Sequence, residues 1–183
     1  DAVFVLVTAY PEQLLPTVLS RCFEVRFQRL SPAVVVDLLT GQGVPLPEAV
    51  VLSRLCGGSL GRALFLRDPK IKSLRAKALG LAREPGLRAV QEVALLNRQE
   101  AEEFLEFLHF FYRDAVVFRL TGDAGLLVNV DYLEEVKAIT LPMPVLLAAT
   151  QVLKKAKKML RANVNPRLVL EGVAVRLGAL VRG

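Results

Sequence analysis

Apolar residues recur at every third or fourth position through most of the second half of the chain, and this period restricts that half to helices. The clearest case covers residues 100–120, whose stripe is Phe104, Leu108, Phe111, Ala115 and Phe118. Prolines at 142 and 144 precede a second long helical stretch to about residue 162, and Asn165-Pro166 precedes a third that ends near residue 182. Proline fits the first turn of a helix, so these stretches are separate helices. The pattern predicts an all-α region over residues 87–183, with further helices over 87–96 and, capped by Asp131, up to residue 139.

Residues 31–68 carry the start and stop signals of three short helices. Ser31-Pro32 can open the first, a second covers about 47–55, and Ser59 can cap a third that runs toward Arg67. The glycines that separate these helices are Gly41, Gly43, Gly57 and Gly58. We therefore expect a small three-helix unit here.

The first 30 residues show strand patterns instead. Residues 3–7 form a continuous apolar run, typical of a strand buried on both faces, and residues 23–27 alternate apolar with polar side chains. One or two short helical turns are expected between them. A buried strand needs sheet neighbours that the remaining residues before 27 cannot supply. We therefore expect that the chain was cut from a longer protein and that the missing part lies upstream.

The positive charge is concentrated at the C-terminal end. Net charge is +6, and residues 151–183 carry eight Lys and Arg against the single Glu171. Five of these cations form a basic helix face, Lys154, Lys155, Lys157, Lys158 and Arg161. The apolar stripe opposite consists of Leu146, Ala149, Leu153, Ala156 and Leu160. A solvated helix face, contact with DNA phosphates and an acidic partner surface are the alternatives for this patch.

Several function classes find no support. No apolar run is long enough to span a bilayer and no secretion signal is visible, so we expect a soluble cytoplasmic protein. Cys22 and Cys56 are far apart, which argues against zinc or a disulfide, and both are expected to be buried. No GxxxxGK[ST] phosphate loop and no Ser-His-Asp arrangement occurs. We expect His109 to be a packed or interface residue, and the glutamates at 100, 102, 103 and 106 to face solvent.

Residues 7–22, VTAYPEQLLPTVLSRC, resemble the end of the nucleotide-binding domain of AAA+ clamp loaders. In that family a strand leads through a proline-containing helix into a Ser-Arg-Cys triplet, here Ser20, Arg21 and Cys22. The resemblance implies that Arg21 reaches the ATP site of a neighbouring subunit as an arginine finger, and that Thr8 is a sensor-1-like position. A guanidinium supplied in this way stabilises the charge that builds on phosphoryl oxygens only in the assembled ring. A bare Ser-Arg-Cys triplet also occurs by chance, with a solvated surface arginine.

Residues 57–64, GGSLGRAL, are similar to the sensor-2 segment of the same family. ATP-binding members place an arginine directly after Gly-Ser-Leu, whereas this chain has Gly61 there and Arg62 one position later, rotated by about 100° around the helix. Arg62 is therefore only a weak sensor-2-like candidate. The departure implies a subunit of the delta-prime type, which does not hydrolyse its own ATP, although Ser59 as a simple helix cap fits either type.

Residues 161–171, RANVNPRLVLE, resemble the segment that opens the last helix of the clamp-loader collar, through Asn165, Pro166 and Arg167. In the family, such helical domains from five subunits pack in a ring. Apolar residues leave two possible packing stripes on this helix, so that oligomerisation and burial within one domain both remain open.

Together these segments imply a mainly α fold with remnant strands of an AAA+ α/β domain, a three-helix lid and an all-α collar. The domains are expected at 1–30 (end of the nucleotide-binding-type domain), 31–68 (lid), 69–86 (linker helix) and 87–183 (collar). The implied protein is an accessory subunit of a bacterial DNA polymerase III clamp loader that helps to place the sliding clamp on primed DNA.

The subunit is expected to catalyse nothing alone, although it belongs to a nucleotidyltransferase holoenzyme and its clamp-loader ATPase. No cofactor or metal is expected on the chain itself, since ATP would lie on a neighbouring subunit, and the partners would be gamma/tau and delta subunits. A gamma/tau-type or replication factor C small-subunit ATPase fragment, and a helical DNA-binding module, are the alternatives.

Overall fold

The computed structural model describes residues 2–8, 11–86 and 95–182, which contain nine α-helices and no strand. The helices are α1 Pro16–Leu19, α2 Pro32–Gly41, α3 Leu46–Leu55, α4 Leu60–Phe65, α5 Pro69–Arg83, α6 Arg98–Thr121, α7 Leu133–Lys137, α8 Met143–Arg161 and α9 Pro166–Arg182. Single turns of 3₁₀-helix lie at Pro11–Gln13, Ala124–Leu126 and Val130–Tyr132. The mainly α fold predicted for the second half of the chain is confirmed, while the helix predicted at 87–96 lies almost wholly outside the described residues.

Local side-chain caps begin several helices where the sequence predicted them. The Ser31 hydroxyl accepts from the backbone N–H of Val34, and the Ser59 hydroxyl accepts from that of Arg62. The Asn165 amide oxygen accepts from the N–H of Arg167 at 2.9 Å, at the start of α9. Each cap satisfies a helix-start N–H that has no partner within its own helix.

The two strands expected in the first 30 residues do not form, and that prediction is wrong for the described chain. Residues 2–8 and 23–30 have no regular secondary structure, and their apolar side chains are exposed, including Phe4 (88%) and Phe27 (94%). A strand is stabilised by hydrogen bonds to a neighbouring strand, and the described residues provide no such neighbour. Between these segments, the predicted short helical turns are confirmed by the 3₁₀ turn and α1.

Asp131 does not cap the short helix that follows it. Helix α7 begins at Leu133 after Tyr132, without a side-chain cap, and the Asp131 carboxylate instead pairs with Arg75 of α5. A buried guanidinium is a stronger partner for a carboxylate than a helix N–H that water can also satisfy.

Helix α6 lies at the centre of the fold, packed between α5 and α8, and α9 packs on α8. Its side chains Phe104, Phe107, Phe111 and Tyr112 are all at most 1% exposed. Helices α2, α3 and α4 pack on one another, and their buried residues join the same apolar cluster. Burial of one aromatic side chain of this size contributes about 2 kcal/mol, so the four aromatic residues of α6 make a substantial contribution to the stability of the core. No helix of the described residues is long and apolar enough to cross a membrane.

The exposed N-terminal segment is anchored at the turn between α3 and α4. Leu30 donates its N–H to the carbonyl of Gly58 at 3.0 Å. Gly58 has φ +81°, and a Cβ built on it would lie 2.7 Å from the Leu30 carbonyl oxygen. A glycine is therefore required where the chain enters the helical body.

Candidate functional site

Arg21 lies directly after α1 and is exposed. The helix ends at Leu19, and the Ser20 hydroxyl donates to the carbonyl of Thr17 at 3.3 Å, which closes the turn before Arg21. No carboxylate of the described residues pairs with Arg21, so its guanidinium has the geometry of an available phosphate ligand. Its role as an arginine finger stays a prediction.

The other residues of the resemblance at this end are also exposed. Cys22 is a free, exposed thiol, so its predicted burial is wrong because the segment carrying it does not pack on the helical body. Cys56 is buried, as predicted. Thr8 is exposed within the 2–8 range, and its sensor-1-like role stays a prediction.

Arg62 joins the three-helix unit to α6. Its Nη2 lies 2.8 Å from Oε2 of Glu103, and only 31% of the Arg62 side chain and 14% of the Glu103 side chain are exposed. Burial raises the pKa of the Glu103 carboxyl, and the Arg62 charge opposes that rise. In this arrangement Arg62 acts as a structural brace, while its sensor-2-like role stays a prediction.

Arg54 of α3 forms a second contact between the three-helix unit and the region of α6. Its Nη1 donates to the carbonyls of Gly125 and Leu127, at 2.7 and 2.6 Å. These carbonyls belong to the loop that follows α6. Arg54 and Arg62 together hold the three-helix unit against the central helix.

A buried polar network fixes that loop, and the sequence analysis missed it. Asp114 of α6 accepts from the N–H groups of Val128 and Asn129 and from the Asn129 side-chain amide. The side-chain amide oxygen Oδ1 of Asn129 in turn accepts from Arg75, which also forms two hydrogen bonds to Asp131, at 2.8 and 2.7 Å. The sequence signal was a charged residue, Asp114, three positions after Phe111 on the buried side of α6.

A cavity of about 420 Å³ lies between α3, α5, α6 and the 3₁₀ turn Val130–Tyr132 that precedes α7. Its wall is mainly apolar, and its charged residues are already engaged, Glu48 with Lys72 at 2.9 Å and Arg75 with Asp131 at 2.7 Å. It therefore presents no unpaired acid or base for catalysis. Within the described ranges no group of three His, Cys, Asp or Glu side chains could hold a metal ion.

Three glutamates of α6, Glu100, Glu103 and Glu106, pair with cations of neighbouring helices, whereas Glu102 is exposed as predicted. His109 is half-buried, and burial lowers the pKa of its imidazole, so the ring stays neutral near pH 7. Glu100 is buried, and its pKa is lowered by hydrogen bonds from Lys70 and from the N–H of Asn97. The prediction that Glu100 and Glu103 face solvent is wrong, because cations from α5 and α4 cover them.

The basic face of α8 is exposed, with one exception. Lys154, Lys155, Lys158 and Arg161 are exposed, whereas Lys157 turns toward Glu106 of α6 and pairs with it. The apolar stripe opposite is buried as predicted, from Leu146 to Leu160.

Helix α9 buries one of its two apolar stripes and exposes the other. The core side carries Val169, Leu170, Val173, Ala174 and Leu177. The opposite side carries Leu168, 63% exposed, and Val175, 50% exposed, with Gly172 and Ala179 in the same row. Asn165 and Pro166 open this helix, and Arg167 pairs with Glu171 at 2.7 Å. An uncharged stripe opposite the core is suited to packing against another helix.

Two comparisons of the amino-acid sequence relate this chain to known proteins. A family model described as DNA polymerase III, delta subunit, C terminal, matches residues 72–178. The chain is also 27% identical over 188 residues to DNA polymerase III subunit delta' of Bacillus subtilis (strain 168). That match covers 97% of this chain and 57% of the relative, so the chain spans little more than half the length of the relative.

Proposed function

The chain belongs to the family of DNA polymerase III delta subunits, represented by their C-terminal region, and from this premise we propose that it is an accessory subunit of a clamp loader. In this proposal the assembly uses ATP bound by neighbouring subunits of the gamma/tau type to place a sliding clamp on primed DNA. The chain binds no ATP itself and acts in the cytoplasm with gamma/tau and delta subunits. It braces the ring of subunits and supplies the positive charge of Arg21 to a neighbouring ATP site.

The observation that carries the proposal is the exposed guanidinium of Arg21, which no carboxylate of the described residues neutralises. ATP hydrolysis develops negative charge on phosphoryl oxygens, and an arginine brought from a neighbouring subunit stabilises it. The hydrolysis rate then depends on assembly, because the guanidinium reaches the phosphate only across a subunit boundary. Gly61 at the sensor-2-like position, with Arg62 engaged by Glu103, supports a subunit without its own hydrolysis.

The domain roles are part of the same proposal. Residues 2–30 would be the end of a nucleotide-binding-type domain, 31–68 the lid, and the helices from α6 to α9 the collar. The exposed apolar side chains of residues 2–8 support the first role, and the packed trio α2, α3 and α4 supports the second. The exposed stripe with Leu168 and Val175 on α9 supports the third, because an apolar helix face favours a partner helix over water.

Reconstitution with the partner subunits tests the proposal with two separable variants. Arg21→Ala should leave assembly intact while DNA-stimulated ATP turnover falls on the order of 10³-fold. Arg26→Ala is the matched control, since Arg26 is exposed in the same segment but pairs with Glu24 at 2.8 Å. Val175→Lys should instead prevent assembly, measured by size-exclusion chromatography. Unchanged turnover in Arg21→Ala would remove Arg21 from the mechanism.

A further inference from the structure

Three lysines of helix α8 have no carboxylate partner among the described residues. The helix contains no Asp or Glu, and no carboxylate of the described residues forms an ion pair with Lys154, Lys155 or Lys158. All three side chains are exposed. Lys157 differs, since it pairs with Glu106 and only 23% of its side chain is exposed. The unpaired lysines are therefore confined to the side of α8 that faces away from α6.

The exposed basic side chains of α8 form a row along the helix. Lys154, Lys158 and Arg161 follow one another at spacings of four and three residues, so they lie within about 40° of one line on the helix surface. The row extends about 10 Å along the axis, and Lys155 flanks it. A DNA duplex carries one negative charge per about 1.7 Å, so that length of backbone presents about six charges. The row therefore matches a repeating anion better than a single one.

We infer that this face of α8, defined by Lys154, Lys155, Lys158 and Arg161, is a sequence-independent binding site for the phosphodiester backbone of DNA. The inference is separate from the arginine finger, since it needs neither Arg21 nor an assembled ring. It assigns to this chain a direct contact with the nucleic acid on which the proposed assembly works.

The residue types favour DNA over an acidic protein partner. Lysine is depleted and arginine enriched at protein interfaces, yet three of these four cations are lysines. A lysine ammonium is a point charge without the planar fork that recognises one carboxylate in a fixed orientation. Such charges suit a backbone whose phosphates are contacted in many registers. The surface of this region that resembles a protein interface is the uncharged stripe of α9.

The affinity is expected to be modest and to depend strongly on salt. Four phosphate contacts predict that log K falls with log salt concentration with a slope of about −3. Fluorescence anisotropy of labelled DNA, titrated with the purified protein over a range of salt concentrations, measures this slope. Separate titrations with single-stranded and duplex DNA show which of the two forms this face of α8 binds more tightly. Binding of either form supports the inference.

The triple variant Lys154→Gln, Lys155→Gln, Lys158→Gln should lower the affinity about tenfold or more at low salt and reduce the slope to about −1. A variant with Lys77, Arg83 and Arg176 changed to Gln removes the same charge from exposed positions elsewhere and should bind DNA nearly as the wild type does. Thermal melting confirms that both variants fold.

Two results would overturn the inference. Equal losses in the two triple variants would mean that net charge alone attracts DNA. Displacement of the DNA by polyglutamate at equal charge concentration would assign the face to an acidic protein instead. Arg21→Ala should bind DNA like the wild type, so that a failure of the arginine finger and a failure of this site are distinguishable.

Discussion

The carboxylate of Asp114 accepts a hydrogen bond from the side-chain amide of Asn129 at 2.8 Å, and neither residue has exposed surface. Asp114 lies on the central helix and Asn129 in the loop that follows it. The side-chain oxygen of Asn129 accepts a hydrogen bond from Arg75 of α5. The guanidinium of Arg75 also lies 4.7 Å from the ring centroid of Tyr132. One buried carboxylate thus holds the loop and, through it, two helices.

Replacing Asp114 with Ala should lower the free energy of unfolding by about 3–5 kcal/mol. The change would leave the buried N–H groups of Val128 and Asn129 and the Asn129 amide without their acceptor. Urea denaturation followed by circular dichroism measures the loss. The control is Asp37→Ala on α2, since Asp37 is exposed and its replacement should cost less than about 1 kcal/mol. Equal losses in the two variants would contradict a special role for the network.

The Arg62–Glu103 pair predicts a stability effect that depends on pH. Burial raises the pKa of Glu103, so the folded state binds this proton more tightly than the unfolded state does. Ionisation of Glu103 therefore costs stability as the pH rises through its raised pKa, and Arg62 offsets part of that cost. Arg62→Ala should lower the free energy of unfolding near pH 7 by about 1–3 kcal/mol. The difference from wild type should shrink below the ordinary glutamate pKa of about 4.3.

The double variant Arg62→Ala, Glu103→Gln isolates this pair. With the buried charge removed, it should be more stable near pH 7 than Arg62→Ala alone. Arg67→Ala is the control, because the Arg67 side chain is 41% exposed and lies 3.5 Å from Glu48. A pH-independent loss in Arg62→Ala would show that Glu103 is not the group it stabilises.

Helix boundaries could be predicted because their signals are local. Ser31, Ser59 and Asn165 cap a backbone N–H two or three residues away, and that spacing is visible in the sequence. The buried stripe of α8 was predictable for the same reason, since its period follows from helix geometry.

The features that sequence analysis missed depend on partners far along the chain. Arg75 meets Asn129 and Asp131 across 54 and 56 residues, and Arg62 meets Glu103 across 41. Residue spacing on α6 predicted that Glu103 faces solvent, and it could not show that Arg62 would cover this side chain. The strand predictions failed for a related reason, because residues 3–7 and 23–27 have strand patterns without a neighbour among the described residues. Arg21 is exposed, as the resemblance requires, and its role stays a prediction.

Gly58→Ala should destabilise the fold by more than about 1 kcal/mol and loosen the anchored N-terminal segment. The φ of +81° is unfavourable for alanine, and its Cβ would lie 2.8 Å from the Cβ of Arg29 and 2.7 Å from the Leu30 oxygen. Both contacts involve atoms fixed close to the backbone, so the segment itself must move. Hydrogen exchange of the Leu30 N–H, which donates to the Gly58 carbonyl, should then become faster.

Gly80→Ala is the control for this change. Gly80 is exposed within α5, and an added Cβ would meet no atom within 4 Å, so the free energy of unfolding should rise by up to about 1 kcal/mol through helix propensity. The two substitutions add the same methyl group and should act in opposite directions. Stabilisation by Gly58→Ala, or unchanged exchange at Leu30, would show that the turn between α3 and α4 does not hold the segment in place.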